Sequence, residues 1–112
     1  MANDTPAPPP SDLPGAGAGW RLEPDYDRLR TPRGALVPLT RAEHDVLRLL
    51  MATRGHEVPR AVLIAGITDD PEHFDPHRLE MLVHRLREKI LNHSGERLPL
   101  RAVRGAGYVL LQ

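Results

Sequence analysis

Residues 79 to 90, LEMLVHRLREKI, and residues 98 to 112, LPLRAVRGAGYVLLQ, decide how this chain folds. Leu79, Val83, Leu86 and Ile90 recur at helical spacing, and at about 100° per residue they form one narrow stripe, the face that packs on a core. On the opposite side stand His77, Glu80, Met81, His84 and Glu88, with Arg85 and Arg87 on the two shoulders. Further on, LPLRAV and YVLL flank Gly105-Ala106-Gly107, which predicts a β-hairpin with a flexible tip. Arg101 and Arg104 lie on its approach strand. A positively charged helix beside a glycine-tipped basic hairpin suits a nucleic-acid duplex.

Upstream, Asp75 is placed to cap this helix and Pro76 to occupy its first position, so the helix should run from about 75 to Leu91 or Asn92. The preceding segment GITDDPEHFDP is acidic and broken by Pro71 and Pro76, which makes it a loop between two helices. Pro59 suits the first turn of a short helix through Leu63 and Ile64 that ends near Gly66. Before it, Thr40-Arg41-Ala42-Glu43 has the spacing of a capping box, in which hydroxyl and carboxylate satisfy free backbone N–H groups reciprocally. A helix from about 41 to 54 follows, with Ala42, Val46, Leu49 and Leu50 at helical spacing and Gly55 as a left-handed cap. GWRLEP, YDRLR and GALVPL, separated by Pro24-Asp25 and Thr31-Pro32-Arg33-Gly34, predict an antiparallel meander that opens with Trp20. Pro38 cannot donate to a ladder, so the third strand should be at an edge there or ending.

The first 19 residues hold five prolines and three glycines, and Leu13 is their only large aliphatic side chain after Met1. Such a stretch buries too little surface to offset ordering entropy, so residues 1–19 should be a tail or linker and residues 20–112 one small domain. The absence of cysteine excludes a disulfide framework and any thiolate metal site and fits the cytoplasm. No export signal or membrane span is legible. The formal net charge of zero hides a division along the chain. Residues 1 to 19 carry −2 and residues 20 to 75 another −2, whereas seven Lys and Arg against three Glu give the remainder +4. The basic part is also the part with the helix and hairpin.

In order and spacing, LTRAEHDVLRLL (39 to 50), RLEMLVHRLREKI (78 to 90) and RAVRGAGYVL (101 to 110) resemble the winged-helix DNA-binding domain of OmpR/PhoB-type response regulators, over roughly residues 20 to 112. The resemblance implies an α+β winged helix-turn-helix: an N-terminal antiparallel sheet of four strands, one more than the meander supplies, then three helices and a C-terminal β-hairpin wing. It implies a transcription regulator without catalytic activity or cofactor, whose third helix enters the major groove of double-stranded DNA while the wing, about 98 to 111, reaches the minor groove. Arg85 becomes the leading base reader, since a guanidinium can donate twice to guanine O6 and N7. Glu80 can accept from cytosine N4, and Met81 can touch a thymine methyl. Arg78, Arg87 and His77 with His84 fall near phosphates. Arg104 beside Gly105 resembles the family's minor-groove arginine, and Tyr108 aligns with a tyrosine that touches a backbone phosphate.

The resemblance further implies paired or direct-repeat half-sites, and contact with RNA polymerase through loop 66–75. Departures are visible. Relatives often carry His where Leu82 stands, Arg-Thr where His77 and Arg78 stand, Thr where Ala102 stands and Trp where Thr68 stands, so weaker DNA binding is expected. No receiver domain precedes this one, so no phosphoacceptor aspartate of a phosphorelay can be inferred. The chain is either a free-standing regulator, which Met1 favours, or the C-terminal part of a longer one. Two other classes compete. His77, Glu80 and His84 share a helical face with zinc-type side chains, but His56-Glu57 lacks the second histidine of a metalloprotease, and no nucleophile with base and orienter can be assembled. A winged helix can also serve as a protein-interaction module, which the near-neutral charge, Leu82 and the outward Met81 favour.

Overall fold

The computed structural model describes residues 19–24 and 27–111, and the expectation for a tail over residues 1–18 lies outside them. Two antiparallel sheets of three strands each bracket three helices. The first sheet, in the order β1-β2-β3, contains β1 (Arg21–Leu22), β2 (Arg28–Arg30) and β3 (Leu36–Pro38). Alternation turns Leu22, Leu29 and Val37 toward the core in one cross-strand row. The turn after β2 closes on Thr31, which is buried. Its hydroxyl accepts from Ala35 N–H at 3.0 Å and its carbonyl from Gly34 N–H at 2.8 Å. β3 is an edge strand, which accommodates Pro38. The fourth N-terminal strand implied by the family resemblance is not found among the described residues.

Helix α1 (Arg41–Ala52) starts with the expected capping box: Glu43 N–H donates to the Thr40 hydroxyl at 3.2 Å and Thr40 N–H to the Glu43 carboxylate at 2.8 Å. The helix stops two residues short of the expected end, at a Thr53 cap. Gly55 takes a left-handed conformation in the following turn, but its N–H goes to Leu110 O at 2.9 Å and so ties the turn to the far end of the chain. The buried stripe of α1 is Glu43, Val46, Leu47 and Leu50, whereas Ala42 and Leu49 are only half-buried. Of the four residues expected at helical spacing, Val46 and Leu50 lie in the stripe, and Ala42 and Leu49 border it.

Val58 and Pro59 form a two-residue strand, β4, which the sequence does not signal. Pro59 then caps α2 (Arg60–Ile67) from outside the helix and is not part of its first turn. The acidic connection contains one 3-10 turn, Pro71–His73. In α3 (Pro76–Ser94), the Asp75 carboxylate accepts from His77 N–H at 3.0 Å, and Leu79, Val83, Leu86 and Ile90 are buried. The helix outlasts the expected Leu91 or Asn92 because its true stop is Gly95, left-handed with φ 74°.

β5 (Leu100–Val103) and β6 (Gly107–Leu110) form the hairpin, narrower than the 98 to 111 expected. β6 is also paired with β4, so it is the middle strand of its sheet and all four of its residues are buried. That is why YVL reads as a continuous apolar run rather than an alternation.

Two tests follow from these contacts. Glu43→Ala strands the Thr40 N–H and the Lys89 ammonium that Glu43 receives at 2.6 Å; unfolding free energy should fall by about 2–4 kcal/mol, read as a lower urea midpoint at unchanged slope. Gly105 (φ 75°) has open space around it, so Gly105→Ala should cost only about 1–2 kcal/mol of left-handed strain. A Cβ on Gly107 would strike the Val58 carbonyl, so Gly107→Ala must part β4 from β6 and should lower the melting temperature further. Equal melting shifts would refute that ordering.

Candidate nucleic-acid interface

With its core stripe buried, α3 presents His77, Arg78, Glu80, His84, Arg85, Arg87 and Glu88 to solvent. On a helical wheel His77, His84 and Glu88 lie at the middle of the exposed arc, Arg78 and Arg85 on one flank and Glu80 and Arg87 on the other. Two ion pairs run along it when the imidazoles are protonated: His77 Nδ1 to Glu80 Oε1 at 3.7 Å, and His84 Nε2 to Glu88 Oε2 at 3.4 Å. The arc is therefore a mixed surface with guanidinium edges.

One flank faces the wing across a cleft of about 600 Å³. Glu80, His84, Arg87 and Glu88 line it from α3, Ala102 and Tyr108 from the wing, Arg60 from the start of α2, and Arg97 from the connection into β5. Val83, Leu91 and Leu98 complete the lining with apolar surface. The other flank borders a groove of about 440 Å³ against α1 and the α2–α3 connection, where Arg78, Met81 and Arg85 meet Ile67, Phe74 and Leu82. Arg78 lies over the Phe74 ring, 5.0 Å from its centroid, which anchors that guanidinium on the connecting segment. Arg104 and Gly105 are exposed at the wing tip and line neither depression.

Two sequence expectations need correction. Met81 was read as an outward apolar residue, but it is half-buried in the groove beside Phe74. Leu82, where relatives often carry His, is half-buried beside it and packs against the core. Tyr108, taken as a surface tyrosine, is 4% exposed and belongs to the core cluster. Its burial follows from the central position of β6, and what covers it on the cleft side is Arg60, whose guanidinium lies over the ring at 5.0 Å. Arg60 and Arg97 had drawn no attention in the sequence. Neither lies in a stretch with a periodic signal, and their approach to α3 depends on the β4–β6 pairing and the Gly95 turn. His77, Glu80 and His84 share the arc as expected, although each imidazole has its own carboxylate neighbour, and no three potential ligands converge with metal geometry among the described residues. No described helix is long and apolar enough to cross a membrane.

The comparisons with known proteins agree with this arrangement. Transcriptional activator protein IrlR of Burkholderia pseudomallei is 37% identical over 90 residues, covering 80% of this chain and 39% of that protein. Transcriptional regulatory protein CusR of Escherichia coli is 31% identical over 80 residues, 71% of this chain and 35% of CusR. The chain thus spans less than two-fifths of these relatives. Among solved structures, the DNA-binding domain of Bacillus subtilis CssR superposes with a TM-score of 0.64 at 26% identity, covering 82% of this chain and 99% of that one. The response regulator AdeR DNA-binding domain in complex with an intercistronic region shares the fold, with a TM-score of 0.71 at 21% identity over 84% of this chain and 95% of AdeR's. Residues 34–110 match the family model described as "Transcriptional regulatory protein, C terminal". The chain belongs to that family, the OmpR/PhoB-type winged-helix DNA-binding domains of transcription regulators, which are not enzymes.

Proposed function

We propose that this domain binds double-stranded DNA sequence-specifically, with α3 in the major groove and the β5–β6 wing at the neighbouring minor groove. The observation that carries this reading is the exposed arc of α3, edged by Arg78, Arg85 and Arg87, beside a wing whose tip exposes Arg104 next to Gly105. Arg85 is the principal base reader, through two parallel bonds to guanine, and Glu80 accepts from cytosine. Met81, set back in its groove, offers a thioether edge to a thymine methyl only if the helix seats deeply. Arg87, His77 and His84 lie within reach of phosphates, and Arg78 holds a phosphate from its seat on Phe74. Arg104 enters the minor groove, where a narrow groove concentrates negative potential. With its ring enclosed, Tyr108 acts through Arg60, which it supports at the mouth of the cleft.

The AdeR structure contains an intercistronic region, and a further neighbour, the RstA DNA-binding domain of Klebsiella pneumoniae, was solved with an RstA box. These support DNA as the partner and leave the operator of this chain to be found. Paired half-sites would let two copies bind side by side, and the exposed acidic run Asp69, Asp70 and Glu72 suits a basic surface of RNA polymerase. A second reading, a protein-interaction module, is favoured by the apolar groove of Ile67, Phe74, Met81 and Leu82, which a partner's side chain would fill.

Selection of bound duplexes from a random pool tests the reading directly, and enrichment of a motif is the expected result. On the selected duplex, Arg85→Ala should weaken binding by about 10- to 100-fold and relax specificity at one position. Arg104→Ala should weaken it less and reduce the slope of log affinity against log salt by about 0.9. If no duplex is enriched, or neither substitution weakens binding, the interaction-module reading takes over.

A further inference from the structure

The middle of the exposed arc of α3, where DNA would approach most closely, holds no guanidinium. It holds His77, His84 and Glu88, with Glu80 beside them. We infer that His77 and His84 make the DNA affinity of this domain proton-dependent, tight when both imidazoles are charged and weak when both are neutral. This rests on the DNA-binding reading above and adds a mode of regulation to it.

At the basic end of the range, both imidazoles are neutral and the carboxylates of Glu80 and Glu88 lose the cations nearest them on the arc. Protonation adds two positive charges to the same patch and cancels those carboxylates, within hydrogen-bonding or ion-pair reach at 3.7 and 3.4 Å. The side chains of His77 and His84 are 70% and 66% exposed, open to an approaching duplex. Around His84 the charged and titratable neighbours are Glu80, Glu88 and Arg87 on α3, Arg60 from α2, Arg97 from the connection to β5 and Tyr108 from β6. Around His77 stand Glu80 and the capping carboxylate of Asp75.

A polyanion laid over the arc adds negative potential on the same side as the carboxylates, so the complex holds the protonated imidazoles more firmly than the free protein does. Binding therefore takes up as many as two protons, and by linkage affinity is highest at the acid end of the imidazole range and falls as pH rises through it. His73 is excluded from this effect: it is bound to Asp70 at 2.9 Å in the acidic connection, off the arc.

The test is fluorescence anisotropy with a labelled mixed-sequence duplex at constant ionic strength, so that base reading does not enter. The wild-type domain should bind roughly tenfold more tightly at about pH 6 than at about pH 8, with a steeper salt slope at the lower pH. The double variant His77→Gln/His84→Gln should lose the pH dependence, its affinities at about pH 6 and about pH 8 agreeing within about twofold. Glu88→Gln should bind more tightly than wild type at about pH 8 and show a shallower pH dependence. Circular dichroism at each pH checks that every variant is folded. A pH-independent wild type, or an unchanged pH dependence in the double histidine variant, overturns the inference while leaving the DNA-binding reading standing. Failure of the folded wild type to bind any duplex at low salt at either pH overturns both.

Discussion

The Glu43 carboxylate fixes the relation between the helices on which everything else rests. It is 5% exposed, accepts from Thr40 N–H at 2.8 Å, and receives Lys89 Nζ at 2.6 Å, while the same ammonium donates to Pro38 O at 3.1 Å. One charge pair thus joins the end of β3, the start of α1 and the last third of α3. Burying a charge is unfavourable unless it is paired, and here one carboxylate oxygen takes both the ammonium and the Thr40 N–H. The buried stripe Leu79, Val83, Leu86 and Ile90 sets which face of α3 is exposed, and the Glu43–Lys89 contact pins that orientation to α1 from outside the arc.

The wing is held by backbone rather than by charge. β6 pairs with β5 on one side and with β4 on the other, and Leu110 O accepts from Gly55 N–H beyond the end of α1. Gly107 lets the Val58 carbonyl come where any side chain would stand. The hairpin is therefore anchored at its base to the segment between α1 and α2, while its tip, Arg104 to Ala106, lies beyond both strands. Arg60 on the Tyr108 ring sits where these constraints meet, linking the first turn of α2 to the middle strand of the wing.

What was legible in the sequence was whatever repeats or caps locally. The α3 stripe, the Thr40-Glu43 box and the Asp75-Pro76 start are short-range patterns, and each took the form expected of it. The hairpin was legible from its glycines and flanking apolar runs, though not its outer limits. The missed features depend on partners far away in the chain. Two residues, one of them proline, cannot announce themselves as a strand, so β4 was invisible until β6 was placed beside it. Tyr108 was misjudged for the same reason: with β6 at an edge it would be a surface residue, and in the middle of a sheet it is core. Glu43 carried two roles, and only the capping role is local; its partnership with Lys89 spans 46 residues. Met81 and Leu82 changed character because Phe74 and Ile67 closed a groove over that flank of the helix.

The formal charge of zero then has a physical reading of its own. Non-specific affinity for DNA grows with the number of phosphates neutralised, and a helix with only cations on its exposed arc would hold any duplex. Here carboxylates are interleaved with the cations, and the central positions belong to His77 and His84 rather than to guanidinium groups. On the DNA-binding reading, such an arc penalises every complex in which Glu80 and Glu88 are not compensated, whether by a base donor or by a protonated neighbour. Discrimination comes from making wrong complexes worse as well as right ones better. On the same reading, the absence at Leu82 and Ala102 of side chains that relatives carry would lower affinity across all sequences alike, whereas the carboxylates would lower it unequally. On that reading, the asymmetry lets a chain of zero formal net charge discriminate among duplexes.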